Sequence, residues 1–265
     1  MKKKIFKVAL GIEYNGSAYH GWQYQSFASN IQEKIEFALS IIADHPIRVY
    51  CAGRTDAGVH STGQVVHFYT YAIRSNYSWV IGVNSYLPND ISVIWKHDVP
   101  DDFHARYSAL SRRYRYVIYN HYYRSSIFYQ GLYYFYKKLN ITSMNLAAKY
   151  LVGEHDFTAF RSSRCQSNTP IRRILYLNIF RVQRNLVIID IIANSFLHHM
   201  VRKIVGCLLE VGTSRKKDFW IKDILKSKNK NFSILTVKPN GLYLVQVTYS
   251  SLFKLPNIPI GPFFI

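Results

Sequence analysis

Acidic residues are scarce in this sequence, with 15 Asp and Glu against 34 Lys and Arg, for a formal net charge of +19. Cysteine is rarer still: the chain has three, and no two of them are close together in the sequence. This argues against a disulfide framework and a structural zinc site, and predicts a reduced, cytoplasmic protein. The sequence has no glycine-rich phosphate loop of the Walker or dinucleotide type. Its apolar runs are too short to predict a membrane span.

The basic excess is confined to the second part of the chain. Residues 1–102 carry nine Lys and Arg and nine Asp and Glu, whereas residues 103–265 carry 25 bases against six acids. Such an asymmetry is typical of a polyanion-binding surface. Because aromatics make up 16% of the residues, unpaired bases could stack while Lys and Arg meet phosphates, which favours nucleic acid over a membrane. A compositional bias toward Lys, Ile, Asn and Tyr would explain the lysines better than the cluster at residues 112–116.

Strand-like and helix-like patterns alternate along the whole chain, and the simplest reading is an α+β fold of two domains with mainly antiparallel sheets. A turn-rich acidic break at residues 99–102 predicts domains at 1–102 and 103–265. Helical spacing with Asn30 as the N-cap predicts a helix over 31–42, and Ser195 or Asn194 is expected to cap the long helix at 196–211. Other helices are predicted at 79–87, 144–151 and 219–225. Strands are predicted at 5–14, 47–51, 63–71, 91–98, 113–119, 175–182, 186–193 and 242–249.

Asp56 is the only carboxylate between Asp44 and Asp90. It lies on a glycine-flanked turn beside Arg54, and a strand-like run follows. A solitary acid on a tight loop suits a nucleophile or a general base better than a metal site, since a two-metal nuclease needs clustered carboxylates. The alternative is a turn aspartate that hydrogen-bonds its own backbone.

Two residues of the basic part are candidate partners of a ligand. Arg202 lies beside an apolar helical stripe, so it is either a solvated surface residue or it points into a cleft and pairs with a carboxylate. Tyr114, Tyr116 and Ile118 share one face of a strand. That face is expected to point toward the core, and Tyr114, nearest the strand start, could reach a ligand at the edge of the sheet.

Histidine patterns argue against two further kinds of site. His198 and His199 are adjacent on the predicted helix and would point in different directions, without an acid at i+3 or i+4, which argues against metal binding. His60 and His67 lie near Ser61, but nothing resembles the nucleophile elbow of an acyl-transfer enzyme.

Residues 53–60, Gly-Arg-Thr-Asp-Ala-Gly-Val-His, resemble the signature loop of the tRNA pseudouridine synthase A family. Further blocks similar to that family follow in family order over nearly the whole chain, which is more specific than any single motif. Asn15 departs from the pattern, which has an aspartate there, without affecting a catalytic position. The additional blocks lie at residues 14–16, 21–25, 84–91, 103–106, 113–116, 153–158, 196–206 and 241–244.

This resemblance implies an isomerase that converts uridine to pseudouridine at positions 38, 39 and 40 in the anticodon stem-loop of tRNA, without cofactor or metal. It also implies the pseudouridine synthase fold, in which two α+β domains flank an active-site cleft, and a homodimer in which each tRNA touches both subunits. A non-catalytic RNA-binding or folding-helper module with the same basic surface is the alternative function. In that case Asp56 would be dispensable, whereas the cluster at residues 112–115 would not.

The resemblance also implies residue roles. Asp56 would be the nucleophile, Arg202 its ion-pair partner and Tyr114 the uracil contact. Whether Asp56 attacks the sugar, attacks the base or abstracts a sugar proton stays open. An arginine would keep such a carboxylate ionised, and a tyrosine face would offset the unstacking of the target base. Expected substrate-binding residues are Arg54, which would help hold the flipped-out nucleotide, His60, Arg113, Arg115 and Leu244.

Overall fold

The computed structural model describes residues 4–163 and 165–262, and these contain ten strands and four α-helices. Among the described helices, none has the length and apolar character that crossing a bilayer requires. The strands are β1 (Phe6–Tyr14), β2 (Tyr50–Cys51), β3 (His60–Thr70), β4 (Ile91–Asp98), β5 (Ser111–Asn120), β6 (Tyr133–Phe135), β7 (Gly153–Asp156), β8 (Ile171–Val182), β9 (Leu186–Ala193) and β10 (Leu242–Thr248). The helices are α1 (Ile31–Ala43), α2 (Ile141–Lys149), α3 (Met200–Gly212) and α4 (Trp220–Ser227).

The chain forms two compact units. Unit 1 runs to Leu110 and takes up the chain again from Leu244, while unit 2 comprises Ser111–Tyr243. The sequence predicts a domain boundary between residues 102 and 103, and this boundary stays a prediction. The two compact units are divided eight residues later, between Leu110 and Ser111, and the segment from Leu244 belongs to unit 1.

Unit 1 is built on a sheet in the order β4-β1-β3-β10. Strand β1 pairs antiparallel with β3 and β4, and β2 pairs antiparallel with β3. Successive β1 residues supply two cores on opposite faces, since strand side chains alternate. Val8, Leu10 and Ile12 pack in the core that also contains α1, whereas Ala9 packs with Phe103 on the other face. The sheet is therefore covered on both sides.

Unit 2 has a sheet in the order β6-β5-β9-β8-β7. Its pairs are antiparallel except for the short parallel pair of β5 and β6. Helix α2 packs against β8 and α3. The Asn145 amide on α2 fixes this contact, because its Nδ2 donates to the Ile179 carbonyl at 2.7 Å and its Oδ1 accepts the Ile179 N–H at 2.9 Å. The observed units confirm the predicted α+β class with mainly antiparallel sheets.

Several predicted elements match the observed ones closely. Strand β4 has the predicted limits, and the predicted hairpin is formed by β8 and β9. Asn30 is the N-cap of α1, and its side chain accepts the Glu33 N–H at 2.9 Å. These elements are encoded by periodicity and capping within a few residues, which explains why the sequence indicates them.

The predicted start of the long helix is wrong. Helix α3 begins at Met200 rather than 196, and His199, in the left-handed region with φ 65°, is its N-cap. Asn194 does not cap the helix, because its Oδ1 accepts the Arg173 N–H at 3.1 Å and the Ser195 N–H at 2.8 Å. His198 and His199 consequently precede the helix, and their rings lie 4.0 Å apart instead of pointing in different directions.

Other differences concern short or irregular elements. The helix predicted at 79–87 is a helical segment over residues 76–84 with a π-helical turn at Ser78–Gly82. Strands β6 and β7, of three and four residues, are absent from the prediction. Elements of this length carry too few residues for a periodic signal.

Buried His67 in unit 1 predicts an acid-sensitive fold. Burial, then the nearby His104 and Lys7, lower the pKa of His67 from 6.5 to about 4. His67 is therefore neutral in the folded protein, and its Nδ1 accepts the Ala105 N–H at 3.1 Å. The unfolded chain binds the proton more tightly, so the contribution of His67 is complete above pH 6.5 and is lost as the pH falls toward 4. Each unit by which the pH falls within that window lowers the free energy of unfolding by up to about 1.4 kcal/mol.

Urea unfolding between pH 7.5 and 4.5 measures this dependence. In His67→Asn the amide oxygen can replace Nδ1 as the acceptor, and we expect the free energy of unfolding to depend less steeply on pH. His20→Asn is the control, since His20 is exposed in the same unit. An unchanged slope in His67→Asn would contradict the assignment.

Candidate functional site

Asp56 lies in the loop between β2 and β3, and backbone hydrogen bonds hold this loop against the segment that follows β1. Trp22 donates its N–H to the Thr55 carbonyl at 3.0 Å, and Gly58 donates to the Tyr19 carbonyl at 3.3 Å. Within the loop, Val59 donates to the Asp56 carbonyl at 3.1 Å and closes the turn. The backbone of Asp56 is thus fixed on both sides.

Two glycines allow the close approach of these segments. An added Cβ on Gly16 would lie 2.0 Å from the Val59 carbonyl oxygen. Gly21 has φ +93°, and its Cβ would lie 2.7 Å from the Thr55 carbonyl oxygen. Because backbone atoms cannot move aside as a flexible side chain can, both positions need glycine.

The side chains of Tyr14, Gln64 and His60 make hydrogen bonds that hold the loop and the segment packed against it. The hydroxyls of Tyr14 and Thr55 are hydrogen-bonded at 2.8 Å. Gln64, fully buried on β3, donates from Nε2 to the Gly53 carbonyl at 2.7 Å and accepts the Gly53 N–H at 3.4 Å. His60 is also buried, and its Nδ1 accepts the Gly16 N–H at 3.1 Å. The loop is preorganised, and Asp56 is half-buried at its tip.

The other expected site residues of unit 1 differ in their surroundings. Arg54 is exposed beside Asp56, as a residue that contacts a ligand would be. Leu244 is fully buried on β10, and its carbonyl accepts a hydrogen bond from the Ser61 hydroxyl at 2.8 Å. The substrate-binding roles of His60 and Leu244 stay predictions. Because both side chains are buried, we expect them to support the fold around the loop rather than to touch the substrate directly.

In unit 2, the arginines of β5 converge on one carboxylate. Arg113 donates from Nε and Nη2 to the two Asp190 oxygens at 2.8 and 2.6 Å, and Arg115 donates from Nε at 3.2 Å. Asp190, on β9, is 1% exposed, whereas the arginine side chains stay partly accessible. The Asp190 hydrogen bond raises the pKa of Arg113. This geometry holds two cationic groups in fixed positions on one sheet face.

We expect Asp190→Asn to lower the free energy of unfolding by about 2 kcal/mol, because the amide cannot compensate two neighbouring guanidinium charges. Urea unfolding at pH 7 measures the loss. Glu154→Gln, an exposed acid of the same unit, is the matched control. Equal stabilities of the two variants would show that the Asp190 pairs contribute nothing.

Tyr114 and Tyr116 occupy different depths of the same strand face. Tyr114 is 8% exposed and its ring meets Phe196 edge to face, with centroids 5.1 Å apart. Tyr116 is fully buried, its hydroxyl donates to the Lys238 carbonyl at 2.7 Å, and burial raises its pKa. Both rings are therefore buried, as the sequence predicts for this face, and Tyr114, nearer the strand start, is the less deeply buried of the two.

Arg202 is half-buried on the first turn of α3, not freely solvated. Its Nε donates to the Val237 carbonyl at 2.7 Å, and its own carbonyl accepts the Val237 N–H at 3.5 Å. One turn further on, a Cβ on Gly206 would meet the Leu235 carbonyl oxygen at 2.0 Å. Arg202 and Gly206 share a helix face, as the sequence predicts, and that face is covered by residues 235–237.

Two supporting residues were not predicted from the sequence: Gln64, beneath the Asp56 loop, and Asp190, beside the β5 arginines. Gln64 and Asp190 each carry a detectable signal, since both are polar residues inside otherwise buried strands. Buried polar groups require partners. The partners lie 11 and 77 residues away along the chain, and the sequence does not identify them.

Comparisons with known proteins agree with the resemblance seen in the motifs. A family model described as tRNA pseudouridine synthase matches residues 11–108 and 147–250. The chain is 69% identical over 265 residues to a "tRNA pseudouridine synthase A" of Buchnera aphidicola subsp. Baizongia pistaciae, covering 100% of both chains. It is 52% identical over 261 residues to the protein of that name from Citrobacter koseri, covering 98% of this chain and 96% of the relative.

Similarity to solved structures is much weaker. The structure titled "Structure of H/ACA RNP bound to a substrate RNA containing 2'-deoxyuridine" aligns with 76% of this chain and 44% of its own. The identity is 9% and the TM-score 0.36. A similarity this low carries no argument about fold or function.

Proposed function

Because the chain belongs to the tRNA pseudouridine synthase family, we propose that it isomerises uridines 38, 39 and 40 in the anticodon stem-loop of tRNA, with Asp56 as the nucleophile. As a member of this family it is an isomerase that forms pseudouridine in tRNA. The reaction breaks the N1–C1′ bond, rotates the uracil and rejoins it to the sugar through C5. The target must first leave its stack to become accessible.

The preorganised loop around Asp56 is the observation that carries the proposal. Backbone contacts from Tyr19 and Trp22, and side-chain support from Gln64, hold the loop from different directions. A carboxylate fixed in this way can attack without first losing the entropy of a mobile loop. Attack on the sugar, attack on the base and removal of a sugar proton each need a carboxylate at this position. Measuring pseudouridine formation by Asp56→Asn tests the assignment.

Arg202 and Tyr114 are assigned by their chemistry and by the matching family blocks. Arg202 is the cation that keeps Asp56 ionised, since a neighbouring guanidinium favours the charged form of a carboxyl group. The hydrogen bond from its Nε to the Val237 carbonyl restricts the direction of the side chain. Tyr114 offers a ring against which the flipped uracil can stack.

Further contacts with the RNA are assigned to the arginines. Arg54 holds the flipped-out nucleotide, and Arg113 and Arg115, oriented by Asp190, meet backbone phosphates. His60 and Leu244 contribute by shaping the backbone around the substrate. The 25 bases against six acids in residues 103–265 support a large phosphate-binding surface.

The remaining parts of the proposal concern the assembly and its place in the cell. The enzyme works as a homodimer in which each tRNA touches both subunits, and it acts in the cytoplasm. Three cysteines without paired spacing are compatible with a reducing compartment. Sedimentation of the protein with and without tRNA tests the dimer.

A further inference from the structure

Unit 2 contains a loop of unusual composition, residues 121–138, which we call the aromatic loop. It leaves β5 after Asn120 and includes β6. Its 18 residues contain eight Tyr and Phe, three Lys and Arg, and no Asp or Glu. The aromatic loop lies between the two segments that the family model matches, residues 11–108 and 147–250.

The aromatic loop is fixed at its ends and at its tip. Asn120 donates from Nδ2 to the carbonyls of Phe135 and Lys137, at 2.9 and 2.7 Å. Asn240 donates from Nδ2 to the Leu132 carbonyl at 2.6 Å. The Tyr243 hydroxyl donates to the Gly131 carbonyl at 2.7 Å. A loop held by this many side-chain contacts presents a defined surface.

That surface exposes large aromatic rings. The exposed fractions are 75% for Tyr122, 70% for Tyr123, 64% for Tyr129 and 58% for Tyr136. Exposed aromatic rings grouped in this way are unusual unless they bind something. Because the neighbouring charges are cationic, the surface combines stacking faces with phosphate-binding groups, the combination that single-stranded RNA requires.

A cavity of about 350 Å³ opens beside the aromatic loop, and of the four exposed rings Tyr129 lines it. Its walls include Arg124, Phe128, Tyr129, Tyr134 and Lys238. The volume is within the range of small-ligand sites. Two cations and several aromatic faces match the phosphate and the base of one nucleotide.

We propose that the cavity of the aromatic loop is an accessory binding site for an unpaired nucleotide of the RNA substrate. The base stacks on the Tyr129 and Phe128 rings, and the phosphate meets Arg124 and Lys238. The inference rests on the proposed function, in which that substrate is tRNA. The site is separate from the uracil contact: Tyr119, in its wall, is five residues beyond Tyr114 on β5, about 16 Å along an extended strand.

The charge pattern favours RNA over a second copy of this chain as the occupant. Self-association through the loop would bring Arg124, Lys137 and Lys138 close to the same cations of the other copy, with no acid in the loop to compensate them. Like charges across an interface are repulsive. A polyanion is attracted by the same groups.

Tyr129→Ala, Phe128→Ala and Arg124→Ala test the site in the full-length protein. Two quantities are measured: the Kd for a fluorescent single-stranded hexanucleotide of RNA, and the kcat and KM of pseudouridine formation in tRNA. We expect each ring substitution to raise the Kd and KM about five-fold or more with kcat unchanged. Tyr129→Phe keeps the stacking face and should bind like the parent. Tyr77→Ala, an exposed ring of unit 1, is the matched control.

Arg124→Ala should weaken binding and reduce the slope of log Kd against log salt by about 0.7, the value for one phosphate contact with a single strand. Parental Kd and KM in all three variants would overturn the accessory site, even if the parent forms pseudouridine normally. So would a change in sedimentation with unchanged RNA affinity, which would identify a protein interface. If the parent formed no pseudouridine, the proposed function would fail, and the hexanucleotide measurements would still decide the accessory site.

Discussion

Asp56→Asn is expected to bind tRNA with an affinity within a few-fold of the parent and to form no pseudouridine. Removal of a covalent nucleophile or an essential base lowers the rate by at least about 10³-fold, because no neighbouring group replaces it. Within residues 45–89 there is no other carboxylate in the sequence. The amide has nearly the same shape as the acid, so the loop should keep its backbone contacts.

The substitution also separates the two interpretations of this residue. Asparagine can close an Asx turn as aspartate does. If Asp56 were only a turn residue, Asp56→Asn would be active. Modification mapping of the anticodon-arm uridines, in a single-turnover assay with radiolabelled tRNA, measures the product. Normal product yield from the variant would overturn the nucleophile assignment.

Asp44→Asn is a matched control in the same unit. Asp44 is the C-cap of α1, with φ 58° in the left-handed region that asparagine also tolerates. The Asp44→Asn substitution makes the same change of acid to amide outside the Asp56 loop. The variant should modify tRNA at the parental rate. If neither the parent nor Asp44→Asn formed product while both bound tRNA with a steep salt dependence, the non-catalytic RNA-binding alternative would be favoured.

Local signals account for the parts of the fold that the sequence predicts. Strand β4 and the hairpin of β8 and β9 are bounded by turn residues and have apolar patterns of their own length. The cap of α1 lies three residues from the N–H that it accepts. Such information is contained within one segment, and no distant partner is needed to interpret it.

Tertiary contacts account for the misplaced helix start and for features that the sequence does not indicate. The start of α3 was misplaced because Asn194, a good capping residue, accepts a hydrogen bond from Arg173 on β8 instead. The return of the chain from Leu244 to unit 1 was not predicted. There the Ser61 hydroxyl donates to the Leu244 carbonyl over a separation of 183 residues. One sequence does not indicate which distant backbone a polar side chain will meet.

The residues of the candidate site also divide into those with a local sequence signal and those that depend on tertiary contacts. Asp56 is identifiable as an isolated acid on a glycine-flanked turn, and Arg54 as its neighbour. The position of the Asp56 backbone depends on Gly16 and Gln64 and on the carbonyls they approach. Gln64 is recognisable as a polar residue in a buried strand, but the sequence does not indicate which carbonyl either residue meets. The motif therefore predicts which residue is the candidate nucleophile, and the structure explains how its backbone is held.

Gly16→Ala is expected to lower kcat/KM by about 100-fold while leaving the Kd for tRNA within a few-fold of the parent, since a displacement of about 1 Å can cost that much in rate. The new methyl group would lie 2.0 Å from the oxygen and 2.7 Å from the carbon of the Val59 carbonyl. The backbone of Val59 must move away. Because the Val59 N–H donates a hydrogen bond to the Asp56 carbonyl, the shift would displace Asp56 as well. Overpacking against backbone also costs about 1–3 kcal/mol of stability.

Gly82→Ala is the control for the same change in the same unit. Its added Cβ would meet a side-chain atom of Ile42 at 3.2 Å, a contact that a small rotation relieves. We expect parental activity from this variant. Stopped-time pseudouridine assays over a range of tRNA concentrations give kcat/KM, and urea unfolding gives the stability of each variant. Parental kcat/KM in Gly16→Ala would show that the loop accommodates the shift, and that close packing beneath Val59 does not determine the position of Asp56.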